Sequence, residues 1–271
     1  MKIEVLVENT SQNDLKCEHG LSFFIEFQGQ SYLLDAGSTD LFMENAKVLN
    51  TPIDEVKTCI LSHGHYDHSG GFASYLSENK ACKVYAMENV MGEYYSGSGG
   101  MHYIGLSKEL KEQYQERFVF LKDITQIAEN VYVIQHSTNG LEHIGQRTQL
   151  YVKRGEAYLP DDFSHELSLV FDTENGLVVF NSCSHGGMQN IINEVKNALP
   201  KKQIYAFLGG LHMKGGHYSE EEIKSLVAFL QEEGLQYIYT GHCTGETAMQ
   251  ILKQYAGDMV QVLSTGIEII I

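Results

Sequence analysis

The sequence predicts an α/β protein in which two β-sheets pack face to face with helices on the outside. Two observations carry that expectation. Apolar, β-rich runs alternate with amphipathic helical patterns, and the alternation occurs once in each half of the chain. Hydrophobic residues make up 43% of the 271 positions, enough to bury a core in one large domain or two small ones.

Taken in order, strands are expected at 2–9 (KIEVLVEN), 21–27 (LSFFIEF), 31–37 (SYLLDAG), 57–62 (KTCILS) and 83–88 (KVYAME). A Gln-Gly-Gln turn between two β-rich runs makes residues 24–35 a hairpin. Helical spacing appears in TDLFMENAKVL (39–49) and GFASYLSEN (71–79). The second half repeats the theme, with strands at LSLVFD, GLVVFNS, QIYAFLGG and QYIYTG, and helices at NIINEVKNAL, SEEEIKSLVAFLQEEG and GETAMQILKQY. Residues from about 89 to 117 begin rich in Gly, Ser and Tyr and end as a charged amphipathic helix. Strands resume on both sides, so this stretch reads as an insertion in a single domain spanning 1–271. Insertions overhanging a scaffold commonly carry substrate contacts.

Composition removes several function classes. The opening MKIEVLVENTS lacks a basic segment followed by an apolar one, and no window approaches the run of about 18 apolar residues that a span needs, so a cytoplasmic protein without a membrane partner is expected. A net charge of −16 would repel a phosphate backbone, which argues against nucleic acid and for a small-molecule substrate. The cysteines at 17, 59, 82, 183 and 243 are odd in number and widely spaced, so reduced thiols are expected.

The densest chemistry lies in CILSHGHYDHSGG, residues 59–71, where His63, His65, Asp67 and His68 fall directly after an apolar strand. In a loop, residues two apart can aim at one point while the residue between turns away. His63 and His65 can thus share one metal, and Asp67 and His68 can reach a second. Imidazole and carboxylate suit zinc and similar divalent ions, and a close metal pair activates water.

HGHYDHSGG resembles the HxHxDH signature of the metallo-beta-lactamase superfamily. SYLLDAG, with Asp35, is similar to its first motif, an aspartate at a strand end that supports the metal loop. NSCSHGG (His185), LGGLHM (His212) and TGHCTG (His242) supply the later histidines. More closely, EHGLSFFIEF, DDFSHELSLV, GLVVFNSCSHGGMQNII and TGHCTGETA resemble the branch that includes the dihydropterin-ribofuranosylaminobenzene phosphate synthases of methanopterin biosynthesis. Most members of that branch are called metal-dependent hydrolases.

The resemblance implies a four-layer αβ/βα sandwich of two mixed sheets with helices outside, and a dinuclear site at the sheet edge holding one or two divalent ions: zinc first, manganese or iron as alternatives. It implies that His185 joins His63 and His65, that His242 joins Asp67 and His68, and that Asp67 is also catalytic. His212 ranks behind His242 as a ligand and ahead of it for contact with substrate. Where the superfamily often has a bridging aspartate the chain reads NSCSH, so Cys183 either stands in that place or is a buried, inert thiol. His19 is expected to border the site. Glu166 and Ser168 match the branch's DDF..E.S pattern and can accept the free N–H of a ligand imidazole. His102, His136, His143, His165 and His217 read as surface or turn residues. Tyr94, Tyr95 and Tyr103 are candidates to line a pocket for a flat ring.

Three functions fit these expectations. The first is a hydrolase activating water against an ester, amide or phosphoester bond. The second is a synthase joining a pterin diphosphate to an arylamine ribofuranosyl phosphate, and the third a non-catalytic metal-binding effector. A diiron oxygen reductase fits less well, because its pattern has glutamate where this chain has His65.

Overall fold

In the computed structural model, which describes residues 1–12 and 14–271, the chain opens as an antiparallel meander. It comprises β1 (Lys2–Val7), β2 (Ser22–Phe27) and β3 (Gln30–Leu34), registered through Ile3 opposite Ile25 and Phe24 opposite Leu33. Gln28 and Gly29 join β2 to β3 with φ of 49° and 75°, the positive values a two-residue type I′ turn requires. Helix α1 (Leu41–Leu49) returns the chain to β4 (Thr58–Ile60), and α2 (Tyr66–Ser69) and α3 (Phe72–Glu78) lead to β5 (Lys83–Met87). Next come β6 (Tyr94–Ser96), β7 (His102–Tyr103), α4 (Lys108–Gln113), β8 (Phe118–Leu121), β9 (Thr125–Ala128) and β10 (Val131–Gln135). They are followed by α5 (Glu142–Thr148), β11 (Leu150–Arg154), β12 (Ala157–Pro160), β13 (Leu167–Thr173) and β14 (Gly176–Phe180). The chain finishes with α6 (Met188–Ala198), β15 (Ile204–Leu208), α7 (Glu220–Glu232), β16 (Tyr237–Thr240), α8 (Glu246–Ala256), β17 (Val260–Val262) and β18 (Glu268–Ile270).

One mixed sheet has the order β18-β1-β2-β3-β4-β5-β8 and the other β17-β16-β15-β14-β13-β10-β9. Strand alternation divides their side chains between two faces. Ile3, Val5, Phe23 and Ile25 of the first sheet meet Val131, Val133, Phe171 and Phe180 of the second in the central core. On the outer faces Phe24 and Leu33 pack on Phe42, Phe72 and Tyr75 of α1 and α3, while Val170, Val179 and Phe207 pack on Ile191, Val227 and Leu252 of α6, α7 and α8. The result is the four-layer sandwich of two mixed sheets. Among the described residues, no helix is long and apolar enough to cross a membrane.

A third, four-stranded sheet, β12-β11-β6-β7, pairs strands from 94–103 with those after α5. It corrects the expectation for the tyrosines. Tyr94 is buried with Leu150, Val152 and Phe163, and its hydroxyl donates to Asn89 O at 2.6 Å, while Tyr95 packs edge-on against Tyr103 and Tyr158. These rings build the small sheet, and none of Tyr94, Tyr95 and Tyr103 lines the cavity at the histidine cluster. A second correction concerns the cysteines: Cys59 and Cys82, with Cα atoms 6.6 Å apart, are joined as a disulfide, whereas Cys17, Cys183 and Cys243 are free thiols.

The topology concentrates loops at one edge. β3, β4 and β5 run parallel, as do β14, β15, β16 and β17, so Asp35, the 62–68 loop, Cys183, His185, His212 and His242 all follow the carboxyl ends of parallel strands. Such edges are where α/β sheets bind ligands.

That edge is tightly packed at Gly70, whose N–H donates to Gly37 O at 2.9 Å. A Cβ there would lie 2.0 Å from the backbone oxygen of Ser38. Gly70→Ala is therefore expected to lower stability by about 1–3 kcal/mol, the usual scale of overpacking, read as a reduced urea midpoint. An unchanged midpoint would show that the 36–39 backbone yields freely.

Candidate metal centre

The loop after β4 is shaped before any ligand reaches it. Asp35, fully buried and held at φ 60°, accepts Ser62 N–H at 2.8 Å and Ser62 Oγ–H at 2.7 Å, and lies 2.7 Å from His68 Nδ1. On the far side, Gly64 N–H donates to His165 Nδ1 at 2.9 Å, and His165 Nε2–H donates to Asp161 at 3.0 Å. His165 is thus a fully buried brace for the His63-Gly64-His65 turn, not a surface or turn histidine.

The imidazoles converge through Nε2, with Nδ1 of His63, His68 and His242 tied to the scaffold and Nδ1 of His185 buried without a partner among the described residues. His63 and His185 approach at 3.3 Å, and His68 and His242 at 3.1 Å. His63 Nδ1 is tied to Ser62 Oγ at 2.8 Å, and His242 Nδ1 donates to Asn9 Oδ1 at 3.0 Å. In neutral His68 and His242 both Nδ1 atoms carry the proton, which leaves two Nε2 lone pairs facing each other. A cation between them satisfies that arrangement. His65 adds a buried Nε2 with no hydrogen-bond partner among the described residues, its ring centroid 4.6 Å from that of His63 and 4.8 Å from that of His185. Asp67 Oδ2 lies 3.4 Å from His242 Nε2 and 3.7 Å from His68 Nε2. Among the described residues, five donor sets have all their atoms within 4.8 Å: His63, Cys183 and His185; His68, Cys183 and His242; Cys183, His212 and Cys243; His19, Asp67 and His242; and His65, Asp161 and His165. Borderline nitrogen, sulfur and carboxylate donors in two adjoining groups fit a pair of divalent transition-metal ions.

Electrostatics agree with that fit. Burial, reinforced by neighbouring imidazoles, pushes His63 and His185 well below the usual histidine range, and burial takes His65 down to about 3. These rings stay neutral, the form that binds metal. His68 goes the other way: burial opposes its charge, but Asp67 and Asp35 raise it to about 9. Burial alone would raise Asp67, yet His68 and His242 hold it below the ordinary carboxylate range.

The remaining candidates are placed as follows. Glu166, buried and raised by that burial to about 7, accepts the N–H groups of His185 at 2.7 Å and Gly186 at 3.0 Å, so it fixes the backbone of the 185 loop and touches no imidazole N–H. Ser168 Oγ lies 3.1 Å from Nε2 of His136, which is buried, contrary to expectation, and pushed down to about 4 by that burial. His212, at φ 48°, stands with its ring centroid 4.3 Å from that of His185 and its Nδ1 buried without a partner among the described residues. His19 stacks on His242 at 5.0 Å with Nε2 3.3 Å from Asp67, its side chain 46% exposed at the mouth. His102 and His217 line the same cavity of about 350 Å³, beside Lys214, while His143 stays on the surface. Sequence reasoning passed over Asn9, Asp161, Lys214 and Cys243. The His165–Asp161 spacing of four was the one local signal available.

A family model described as the metallo-beta-lactamase superfamily matches residues 15–99. The solved structure of Tm1679, a metal-dependent hydrolase of the beta-lactamase superfamily, is 31% identical, with the match covering 100% of this chain and 99% of that one at a TM-score of 0.86. This chain belongs to the metallo-beta-lactamase superfamily. Two curated superfamily relatives come from Methanocaldococcus jannaschii. A 7,8-dihydropterin-6-methyl-4-(beta-D-ribofuranosyl)-aminobenzene-5'-phosphate synthase is 28% identical over 92% of this chain and 88% of its own length. An uncharacterized protein is 28% identical over 93% and 94%.

Metal content separates the late histidines. His63→Ala and His242→Ala should each lower bound metal measured by mass spectrometry, whereas His212→Ala should retain it, because among the described residues His212 groups with Cys183 and Cys243 and with neither of the Nε2-to-Nε2 imidazole pairs. Loss on changing His212 with retention on changing His242 would exchange their roles.

Proposed function

We propose that the protein is a metal-dependent hydrolase of a small molecule bearing an anionic group, with His63, His65 and His185 holding one divalent ion and Asp67, His68 and His242 a second. Zinc suits this donor set best, with manganese or iron as alternatives. The observation that carries the reading is the double convergence of buried Nε2 atoms beneath an open cavity. Ions held there would supply Lewis acidity and a water that ionises near neutral pH.

The chain's own residues do the rest. Asp67, within reach of both His242 and the mouth residue His19, offers a carboxylate that holds charge at the floor and orients the attacking water. His185 and His212 wall one side, and their rings exclude bulk water. Among the described residues the cavity lining contains one carboxylate, Asp67, and one lysine, Lys214, with His19, His102 and His217 and the hydroxyls of Ser96, Ser98 and Thr148 as further hydrogen-bonding groups. Lys214 with these donors is where an anionic group of the substrate would be held, in a chain whose net charge is otherwise −16.

A second reading, a synthase, is favoured by the name of the 28% identical relative, whose product carries a 5'-phosphate. The floor would serve either chemistry, since activating a leaving group and activating water need the same Lewis acid. Screening purified protein against phosphoesters, phosphodiesters, lactones, thioesters and pterin diphosphates separates the two, and turnover on a pterin diphosphate with an arylamine alone would select the synthase.

Asp67→Asn keeps size and one coordinating oxygen but removes charge, so turnover should fall by roughly 10²-fold or more with an unchanged circular dichroism spectrum. Near-normal turnover would sink the assignment of Asp67. Lys214→Ala should raise KM about tenfold or more for phosphorylated substrates and leave kcat close to the parent value, a split expected when one charge-assisted contact to the bound ground state is lost. An unchanged KM would remove Lys214 from substrate binding.

A further inference from the structure

Among the described residues, Cys183 is the one donor common to both imidazole pairs. Its Sγ belongs to the group formed with His63 and His185 and equally to the group formed with His68 and His242, and it lies 3.2 Å from His68 Nε2. It follows the strand end of β14 and is buried. We propose that the Cys183 sulfur, as thiolate, is the ligand shared by the two metal positions, filling the place where a carboxylate bridge was expected. This rests on the metal-centre reading above and assigns within it the one ligand that the histidine pattern leaves open.

Three further observations support the assignment. The first is elimination. Every other buried carboxylate around the centre is already committed to the scaffold: Asp35 to Ser62 and His68 Nδ1, Asp161 to Phe163 N–H and His165, Glu166 to the N–H groups of His185 and Gly186, and Glu8 to His242 N–H and Thr10. Asp67 approaches only the His242 side. The second is charge. Histidines ligate metal as neutral imidazoles, so with the five histidines bound in that form Asp67 would be the single negative charge against two divalent cations, which repel four times as strongly as unit charges at the same distance. A shared anionic ligand offsets that repulsion where it is greatest, and a thiol bound to metal is deprotonated, its proton passing to solvent.

The third is support behind the sulfur. Cys243 Sγ lies 3.4 Å from Cys183 Sγ and 3.6 Å from Cys183 O and accepts His212 N–H at 3.3 Å, so its S–H is aimed at Cys183. The space for it is provided by Gly210, where a Cβ would fall 2.4 Å from the Cys243 sulfur. Cys243 also groups with Cys183 and His212 but with neither imidazole pair, and it is assigned as a positioning residue acting through Cys183.

The test is cobalt reconstitution of chelator-treated protein under reducing, anaerobic conditions, read by metal stoichiometry and by the near-ultraviolet sulfur-to-cobalt charge-transfer band. The parent protein should bind about two equivalents and show the band. Cys183→Ser should lose the band and fall towards one equivalent. Cys183→Asp should regain the second equivalent without the band, which guards against a folding defect in the serine variant. Cys243→Ala should keep both the metal and the band. Two bound cobalt ions without a band in the parent, or a band that survives Cys183→Ser and disappears with Cys243→Ala, would overturn the assignment while leaving the metal centre standing. A parent protein that binds no cobalt would overturn both.

Discussion

The centre depends on one buried carboxylate. Asp35 ends β3 and is wholly removed from solvent, where an unpartnered charge would be heavily penalised. It escapes the penalty by gathering Ser62 N–H, Ser62 Oγ–H and His68 Nδ1 around itself. Those three contacts fix where β4 stops and how α2 begins. They also decide which nitrogen of His68 is left to face the cavity. Because Ser62 Oγ is at the same time within 2.8 Å of His63 Nδ1, Asp35 indirectly orients the first imidazole of the other group as well. The ligands are thus aimed by the strand ends before any ion arrives, which is what a preorganised site requires.

The second sheet uses the same device. Glu166 grips the backbone at 185 and 186, Glu8 accepts His242 N–H, and Asp161 turns His165 towards Gly64. Asp35, Ser184, His212 and His242 all sit at positive φ without being glycine. Such conformations cost on the order of 1–3 kcal/mol each and persist only where surroundings over-determine them. The excess of acidic residues that marks the composition is therefore more than surface charge. Several of those carboxylates are internal struts that hold strained loops at the catalytic edge.

This division explains what was legible in the sequence. HGHYDHSGG was readable because its four candidate ligands are contiguous and their geometry is set by one turn. The strand order was readable from apolar runs, and Asp35, His185 and His242 from their positions just past strand ends. The braces were not. His165 meets Gly64 across 101 residues, Asn9 meets His242 across 233, and Cys243 meets Cys183 across 60, so each gains its meaning only when the two sheets close on one another. The same holds for the Cys59–Cys82 pair, which adjacent parallel strands bring together. The tyrosines misled for a different reason: an aromatic-rich, Gly-rich stretch looks like a ligand wall whether its rings face a cavity or, as here, one another.

Floor and walls of the cavity consequently have different origins. The floor comes from strand ends braced by buried carboxylates and is rigid. The walls come from the small third sheet, through Ser96, Ser98 and His102, and from the Lys214-Gly215 turn beyond β15. Changing a wall residue alters what is held over the metals without disturbing Asp35 or its partners. A superfamily built this way can keep one Lewis-acid floor while the walls select water or an amine as the attacking group. Relatives of similar overall identity can then carry the names of a hydrolase and of a synthase, as those of this chain do. The residues that would distinguish the two activities are therefore to be sought around the cavity mouth, among Lys214, His102, His217 and the hydroxyls of Ser96, Ser98 and Thr148, and not among the histidines of its floor.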